Sequence, residues 1–567
     1  NRGSSIRFGI TTTNWQGEQP VDAPALEKGV WKHVAATLSG NLAILYVDGV
    51  EVGRNAAVTR KPSDLAPNSA NYIGRSLYPD PYFKGKIDDF RVYKRALTAS
   101  EIASLNRMND QKIVEADQEA LDLGDTSAVT ADLALPSKGL YGSSITWSSD
   151  RPEIIAPNGK VTRPAPGQGD AVVTLTATIR RGNVQAVKTF TVTVPEEPDD
   201  ARAVELDKEA LVVHNIDDVR GNLTLPTSGP HGTHITWASE DPSIITPTGE
   251  VNRPPHGSGD VTVKLTATIS KGEASATKEF LATVRELPAR EELAGYLFTY
   301  FTGEGSPNGE QIYFALSKGN DPLRYQALNG GRPVLVSQLG EMGVRDPFII
   351  RSPEGDKFYL LATDLKIYGN GDWDRAQRNG SRSIMIWEST DLVNWSQQRM
   401  VEVAPPEAGN VWAPEAFYDH EAGEYVVFWA SKIYPDETHT GDTYLKMMYA
   451  TTRDFYTFSE PRVYMDYGKA TLDTTMIEHN GKIYRFTKED HVIQEVGDSI
   501  FGEFRMINNN VESPHLARGE GPLIFKSNTE DKWYLFIDEY GLRGYVPLET
   551  TDLDSGEWTV SQGYEFP

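Results

Sequence analysis

The 567-residue chain contains no cysteine, which excludes disulfides, thiolate metal sites and cysteine nucleophiles together. Compartment stays open on this point, because many secreted bacterial enzymes also lack Cys. No apolar run reaches the ~18 to 20 residues that span a bilayer. The opening Asn1-Arg2-Gly3 has neither an initiator Met nor an apolar signal region, so the chain reads as a processed or excised piece. Positive charge is in short supply, with 55 Lys and Arg against 80 Asp and Glu and a net charge of −25. That balance argues against nucleic acid and against anionic membranes, since phosphate binding relies on cationic side chains displacing counterions. Several enzyme signatures are absent as well. There is no Gly-x-Ser-x-Gly elbow and no His-Glu-x-x-His helix, and Gly303-Glu304-Gly305 lacks the third glycine and following helix of a dinucleotide loop.

What remains is a globular composition, 39% hydrophobic and 10% aromatic, with 49 Gly and 34 Pro scattered as turn punctuation. Packed, loop-rich β structure fits it best. At roughly 100 to 200 residues per domain, the length implies about three to five domains.

An internal repeat organises the middle of the chain. A shift of 90 residues lays Leu135-Pro136 on Leu225-Pro226, Ile145-Thr146-Trp147 on Ile235-Thr236-Trp237, and Leu175-Thr176-Ala177-Thr178 on Leu265-Thr266-Ala267-Thr268. Residues 113–195 and 203–285 are two copies of one module. Apolar and polar residues alternate in each copy between Gly, Pro and Asn turns, the period of half-buried strands in a sandwich. Acidic, Pro-bearing linkers follow each copy, at 195–200 and 286–292. The pair resembles reduced bacterial immunoglobulin-like repeats, which implies a spacer or scaffold before a sugar-binding role.

Residues 1–106 are also strand-rich. Trp31 to Leu38 turns at Ser39-Gly40-Asn41 into Leu42 to Val52, a hairpin pattern. Tyr72-Ile73-Gly74, followed by Phe83 to Leu97, resembles the closing strands of a laminin-G-like, concanavalin-like jelly roll. That resemblance implies a partial jelly roll whose first strands lie upstream, and carbohydrate binding as its role. Trp31 is expected in its core.

From about Leu293 the chain turns aromatic, with a looser period of about 50 to 70 residues that points to propeller blades. Four hairpins recur: Asp346 to Leu361, Ala416 to Phe428, Thr475 to Phe486 and Leu523 to Ile537. A further signal ending in an aromatic recurs five times, at Ser317 to Tyr325, Ser389 to Trp395, Thr451 to Phe455, Asp498 to Phe504 and Thr550 to Trp558. Five against four implies a five-bladed ring with one blade shared between the two ends of residues 293–567. Tyr296 to Phe301 is then a middle strand whose inner neighbour is expected beyond Pro567. The fold class expected for the whole chain is all-β, comprising a partial jelly roll, two Ig-like β-sandwiches and a C-terminal five-bladed β-propeller.

Inner strands of a propeller start near its axis, so their first side chains converge. The hairpins open with Arg345-Asp346-Pro347, Trp412-Ala413-Pro414-Glu415, Leu472-Asp473-Thr474 and Gly519-Glu520-Gly521-Pro522, each carrying a carboxylate at what reads as the same blade position. Acids crowded at a low-dielectric axis repel one another and split their protonation, which is what acid–base catalysis requires. Taken singly, each is also ordinary turn chemistry.

On these residues the stretch 293–567 resembles glycoside hydrolase family 43. The resemblance implies Asp346 as general base, Asp473 as the residue that tunes pKa, and Glu520 as general acid of an inverting hydrolysis. It also implies a separation of about 6.5 to 9.5 Å between the base and acid carboxyls, leaving room for water. The family's Trp-Ala-Pro-Asp turn carries Glu415 here, so Glu415 is placed as lining or structure within the substrate-binding set. Arg345 and Arg543 are candidate clamps for hydroxyls or carboxylates, and Trp373, Trp412 and Tyr540 are candidate sugar-contacting aromatics. His439 and His479 are expected in loops or at the surface. No cofactor is required for such a reaction. The family's His-Gly segment for an axial ion does not occur before Pro567, which leaves a structural calcium, and metal in general, open.

The activity this implies is release of non-reducing terminal pentosides from plant cell-wall polysaccharide or oligosaccharide by a secreted or surface-attached bacterial enzyme. An α-L-arabinofuranosidase comes first, on the similarity of Tyr296 to Ala315 and Gly343 to Lys366, with a β-xylosidase or exo-galactanase next. A noncatalytic glycan-binding surface protein is the alternative of another class. Linkage preference is expected to sit in the loops Tyr368 to Arg382 and Tyr434 to Asp442.

Overall fold

A computed structural model describes residues 5–13, 16–65, 72–75 and 82–567, apart from the side chain at 108. The opening Asn1-Arg2-Gly3 lies outside the described residues. The chain forms two compact units, Asn1–Asp199 and Asp200–Pro567.

In the first unit, strands Ser5–Ile10 and Gln19–Pro24 pair, and Val34–Ser39, Leu42–Val47 and Val50–Asn55 form a meander. Both sheets bury one small core of Ile10, Val21, Ala23, Ala43, Leu45 and Val58. The expected hairpin is present, with Ser39 opposite Leu42 across the Gly40-Asn41 turn. The next turn, Asp48-Gly49, has φ of 50° and 78°, the positive pair that a two-residue type I′ connection needs. Phe83 to Leu97, expected to supply closing strands, forms none among the described residues. A strand of this kind exists only when a neighbouring backbone pairs with it, and no described strand lies alongside. Phe83, Ile87, Phe90, Val92 and Tyr93 are accordingly exposed.

Each repeat carries a three-stranded antiparallel sheet: Ser144–Ser149, Ala171–Arg181 and Val184–Val194 in the first, and His234–Ser239, Val261–Lys271 and Ala274–Val284 in the second. The 90-residue shift holds to the residue. Ala171, Val173, Leu175, Ala177 and Ile179 alternate inward, as the period of two predicts. The strand pattern did not reveal that each repeat opens with a helix. Helix α1 (Ala99–Ala120) starts at the Thr98–Glu101 capping box and lays Val114 on Ile145, Ala177 and Ile179. Helix α2 (Asp200–Ala210) repeats this with Val204 on Ile235, Ala267 and Ile269.

The rest of the second unit is a propeller. Four four-stranded sheets follow one another, with inner strands Val344–Arg351, Trp412–Asp419, Leu472–His479 and Glu520–Lys526. Their middle strands are Phe358–Asp364, Glu424–Lys432, Lys482–Lys488 and Trp533–Glu539, almost wholly buried. A fifth sheet comprises Leu297–Tyr300, Tyr313–Ser317 and Tyr325–Ala327. Hydrophobic clusters join each sheet to the next. One, built on Phe298, Ala315, Tyr325, Tyr534 and Phe536, links the fourth sheet to the fifth; another, built on Ile312, Phe314, Val344, Leu360 and Trp387, links the fifth to the first.

The second repeat is bonded to this propeller. Asp356, in the turn between the first inner and middle strands, accepts two hydrogen bonds from Arg253 (2.9 and 2.7 Å) and one from Arg220 (2.8 Å). Arg453 pairs with Glu250 at 2.9 Å, and His214 stacks on Tyr456 with centroids 4.1 Å apart. At the positions of Arg220, Glu250 and His214 the first repeat has Thr130, Lys160 and Gly124, while Arg253 has its counterpart in Arg163, so the contacts of Arg220, Glu250 and His214 belong to the second repeat. Arg253 is 2% exposed, and removing its counter-charge leaves a buried cation unpaired. Asp356→Ala is expected to cost about 3 to 5 kcal/mol, read as a lowered unfolding midpoint of the second unit in denaturant, with the transition of the first unit unmoved.

Candidate active site

Four inner strands enter their sheets through the same irregularity. The register slips between Arg345 and Phe348, Trp412 and Glu415, Leu472 and Thr474, and Glu520 and Leu523. Within each slip one residue has left-handed backbone: Asp346 (φ 49°), Ala413 (46°), Asp473 (50°) and Gly521 (55°). Only the last is glycine. A side-chain-bearing residue held there costs on the order of 1 to 3 kcal/mol, and such strain concentrates at functional sites. The four acids therefore share a bulge rather than one position. Asp346 and Asp473 occupy the bend, Glu520 precedes it, and Glu415 follows it by two.

The bulges bring these acids into one electrostatic neighbourhood. Asp473 is pushed up to about 7, by burial first and then by the charges of Asp346 and Glu520, while its Oδ2 accepts the Gly521 N–H at 3.0 Å. Glu520 is raised by burial, then by Asp538 and Asp346, against the pull of Lys488 and Arg345. Glu415 is raised well above the ordinary range by burial and by Asp473, with a hydrogen bond from Thr475 opposing. Tyr545 is raised by burial and by Asp538, Asp473, Asp346 and Glu415, and its hydroxyl lies 3.1 Å from where a Cβ on Gly521 would stand. Asp346 Oδ2 accepts a 2.7 Å hydrogen bond from the Thr363 hydroxyl.

One wall of the site is aromatic. The Arg345 guanidinium lies over Phe301 (4.8 Å) and Trp373 (5.0 Å) and pairs with Glu304 (3.3 Å) and Glu310 (3.7 Å). Trp373 opens the short helix α3 (Trp373–Arg378), capped by Asp372, and meets Trp412 edge-on at 6.1 Å. Buried Glu310 accepts the N–H groups of Ile367 (2.8 Å) and Tyr368 (2.9 Å), fixing the base of that loop. Arg345, Trp373, Trp412 and Glu415 thus stand with the catalytic candidates.

Tyr540 and Arg543 are engaged with their own turn. Arg543 pairs with buried Glu539 and donates to the His515 carbonyl at 2.9 Å, and Arg518 lies over the Tyr540 ring at 4.7 Å. His439 is a buried loop residue, with Nε2 2.7 Å from the Pro406 carbonyl oxygen, rather than a surface one. His479 meets Trp533 edge-on at the end of its strand. Thr363, Lys488, Asp538 and Tyr545 were missed in the sequence because they lie on middle and third strands. Overlaying Lys357 to Asp364 on Lys532 to Glu539 would have put Thr363 and Asp538 at one position. Among the described residues, no group of three or more His, Asp or Glu side chains is disposed to hold a metal ion.

A propeller whose bulged inner strands direct acids into one neighbourhood is the architecture of a propeller glycoside hydrolase. Residues 291–567 match the family described as a probable glycosyl hydrolase domain, related to family 43. Residues 114–197 and 204–287 match the atrophied bacterial Ig domain, and 1–103 the concanavalin A-like lectin/glucanase superfamily. The chain is 33% identical over 535 residues to an α-L-arabinofuranosidase of Bifidobacterium longum subsp. longum, covering 86% of this chain and 48% of that protein. It therefore spans about half the length of the curated relative it matches. Among solved structures, the catalytic domain of a Coprinopsis cinerea GH62 α-L-arabinofuranosidase aligns at 15% identity over 40% of this chain and 69% of that one, with TM-score 0.29. An S-layer domain-containing protein of Clostridium thermocellum aligns at 40% identity over 18% and 51%, with TM-score 0.14.

The raised carboxyl of Asp473 ties stability to pH. Its folded pKa lies above the unfolded value, so its contribution is complete below the unfolded value near 3.8 and is lost as pH rises through about 7. At about 1.4 kcal/mol per unit, the loss reaches up to about 4 kcal/mol. Asp473→Asn keeps an oxygen for the Gly521 N–H and carries no charge. It is expected to match wild type in acid and to exceed it in unfolding midpoint above neutrality; parallel stability–pH curves would contradict this.

Proposed function

We propose that the chain is an inverting exo-glycosidase that releases non-reducing terminal pentosides from plant polysaccharides, acting first as an α-L-arabinofuranosidase. The observation that carries the reading is the meeting of Asp346, Asp473 and Glu520 at one site, with Asp473 and Glu520 biased towards their protonated forms. The kinship to a protein named α-L-arabinofuranosidase supports the choice of sugar.

In this mechanism Asp346 takes a proton from water as that water attacks the anomeric carbon. Glu520 gives its proton to the departing glycosidic oxygen, and inversion leaves the anomeric hydroxyl on the opposite face. Asp473, next to the Glu520 bulge through the Gly521 N–H, holds the acid in place. Arg345, Trp373 and Trp412 form the wall against which the sugar packs, and Glu415 lines the floor. Every proton transfer uses protein carboxylates, so the reaction needs no cofactor, and a bound calcium would be structural. A substrate of this kind places the protein outside the cell, secreted or on the surface of a bacterium. No described helix is long and apolar enough to cross a membrane.

The test is a panel of nitrophenyl pentosides together with arabinan, arabinoxylan and arabinogalactan, comparing wild type with Glu520→Gln. The variant is expected to lose about 10²- to 10⁴-fold on the polysaccharides. It should lose less on nitrophenyl glycosides, whose leaving group needs little protonation. Proton NMR of the first product should show the inverted anomer. No release from any substrate by folded wild type would favour a glycan-binding protein. Release of xylose or galactose in place of arabinose would move the specificity to the neighbouring activities.

A further inference from the structure

The propeller uses one geometric device in four blades. In each, the residue just before the left-handed bend pairs across the ladder with a residue near the end of the middle strand: Arg345 with Thr363, Trp412 with Ala430, Leu472 with Lys488, and Glu520 with Asp538. Residues directly opposite in an antiparallel pair stand about 4.5 to 5.5 Å apart at Cβ and share a face. The middle strand therefore sets one side chain beside each bulge, and the four blades choose a hydroxyl, a methyl, an ammonium and a carboxylate.

In the first blade the choice fixes a hydrogen bond. Thr363 is fully buried. Its hydroxyl has one proton to give. The Ala413 N–H donates to Thr363 Oγ1 at 2.8 Å and can only donate, so the hydroxyl proton is directed to Asp346 Oδ2 at 2.7 Å. That bond leaves Asp346 Oδ2 as an acceptor, the role a base has towards water. The same Ala413 belongs to the second bulge, so the bond also ties neighbouring blades together.

In the fourth blade the choice fixes a charge. Asp538 lies directly across the ladder from Glu520, and its own neighbour on the third strand is Tyr545. The other groups acting on Glu520 come from the first and third blades. Asp346 adds negative charge, and Lys488 and Arg345 oppose it. Both cations are already committed: Lys488 Nζ donates to the Asp490 carbonyl (3.0 Å) and to Glu512 (3.3 Å), and Arg345 pairs with Glu304 and Glu310. Asp538, directly across the ladder, is the foremost of the charges that raise Glu520, and two acids this close cannot both ionise cheaply.

We propose that Thr363 and Asp538 are positioning residues that divide the work of the two catalytic carboxyls, Thr363 committing Asp346 to the base role and Asp538 holding Glu520 in the acid role. The assignment rests on the inverting-glycosidase reading and predicts effects on opposite limbs of one profile. On an arabino-oligosaccharide, Asp538→Asn moves the basic limb of the kcat/KM–pH profile down by about one unit and leaves the acidic limb in place. Thr363→Val moves the acidic limb up by a similar amount and leaves the basic limb in place, while Thr363→Ser restores the wild-type profile. Unmoved limbs under a uniform loss of rate, or both variants shifting the same limb, would overturn the assignment while leaving the glycosidase reading intact. If folded wild type releases no sugar, that reading fails. The Asp538 half is then decided by infrared difference titration against Glu520→Gln: a Glu520 carboxyl that ionises at lower pH in Asp538→Asn upholds it, and identical titrations in the two proteins overturn it. Circular dichroism and unfolding midpoints establish that each variant is folded.

Discussion

Repulsion between carboxylates held together in a half-buried hollow is the constraint on which the rest of this structure depends. Asp346, Asp473, Glu520 and Glu415 would separate in a flexible chain. Here their backbones are fixed by bulges that put three side-chain-bearing residues into left-handed conformation. Both the strain and the repulsion are offset elsewhere, by middle strands buried almost throughout and by the apolar clusters that join each sheet to the next. The scaffold over-determines the positions of groups that would otherwise avoid one another, and unequal protonation follows from that placement.

Rigidity near the site is built from buried acids that serve other ends. Glu310 secures the loop that leads to Trp373, and Glu539 holds Arg543 while accepting the Ala517 N–H at 2.8 Å. These carboxylates are satisfied by backbone N–H groups and guanidinium and serve as structure. Asp538, Asp473 and Glu520 lack such complete partners, and the distinction separates acids that brace the propeller from acids placed to move protons. The second Ig-like repeat adds to the bracing through Asp356. The first repeat keeps the counterpart of Arg253 as Arg163 but has Thr130, Lys160 and Gly124 where the second has Arg220, Glu250 and His214, so the two copies of one module differ in the contacts they can make.

Much of this architecture was legible in the sequence. The 90-residue shift read from the sequence carries over to the strands of the two repeats residue for residue, because alternation of buried and exposed positions is a local property of a half-buried sheet. The bulge motifs at Asp346, Asp473 and Glu520 were visible because turn chemistry and an acid coincide there. Helices α1 and α2 were not, since few apolar residues mark their buried faces and they adjoin linkers rich in charge. The run from Phe83 to Leu97 read as strand but forms none among the described residues, because strand formation depends on a partner that pattern alone cannot supply. Thr363 and Asp538 were invisible for a related reason. Their significance arises from cross-strand register, which places them beside residues far away in the chain.

The central claim is that three acids from separate blades share one hollow at unequal protonation. Neutron diffraction from deuterium-exchanged crystals grown just below neutral pH tests it most directly. The account predicts deuterons on the carboxyls of Asp473 and Glu520 and none on Asp346, whose Oδ2 should instead receive the deuteron of Thr363. Three bare carboxylates, or a deuteron on Asp346 with Glu520 ionised, would contradict it.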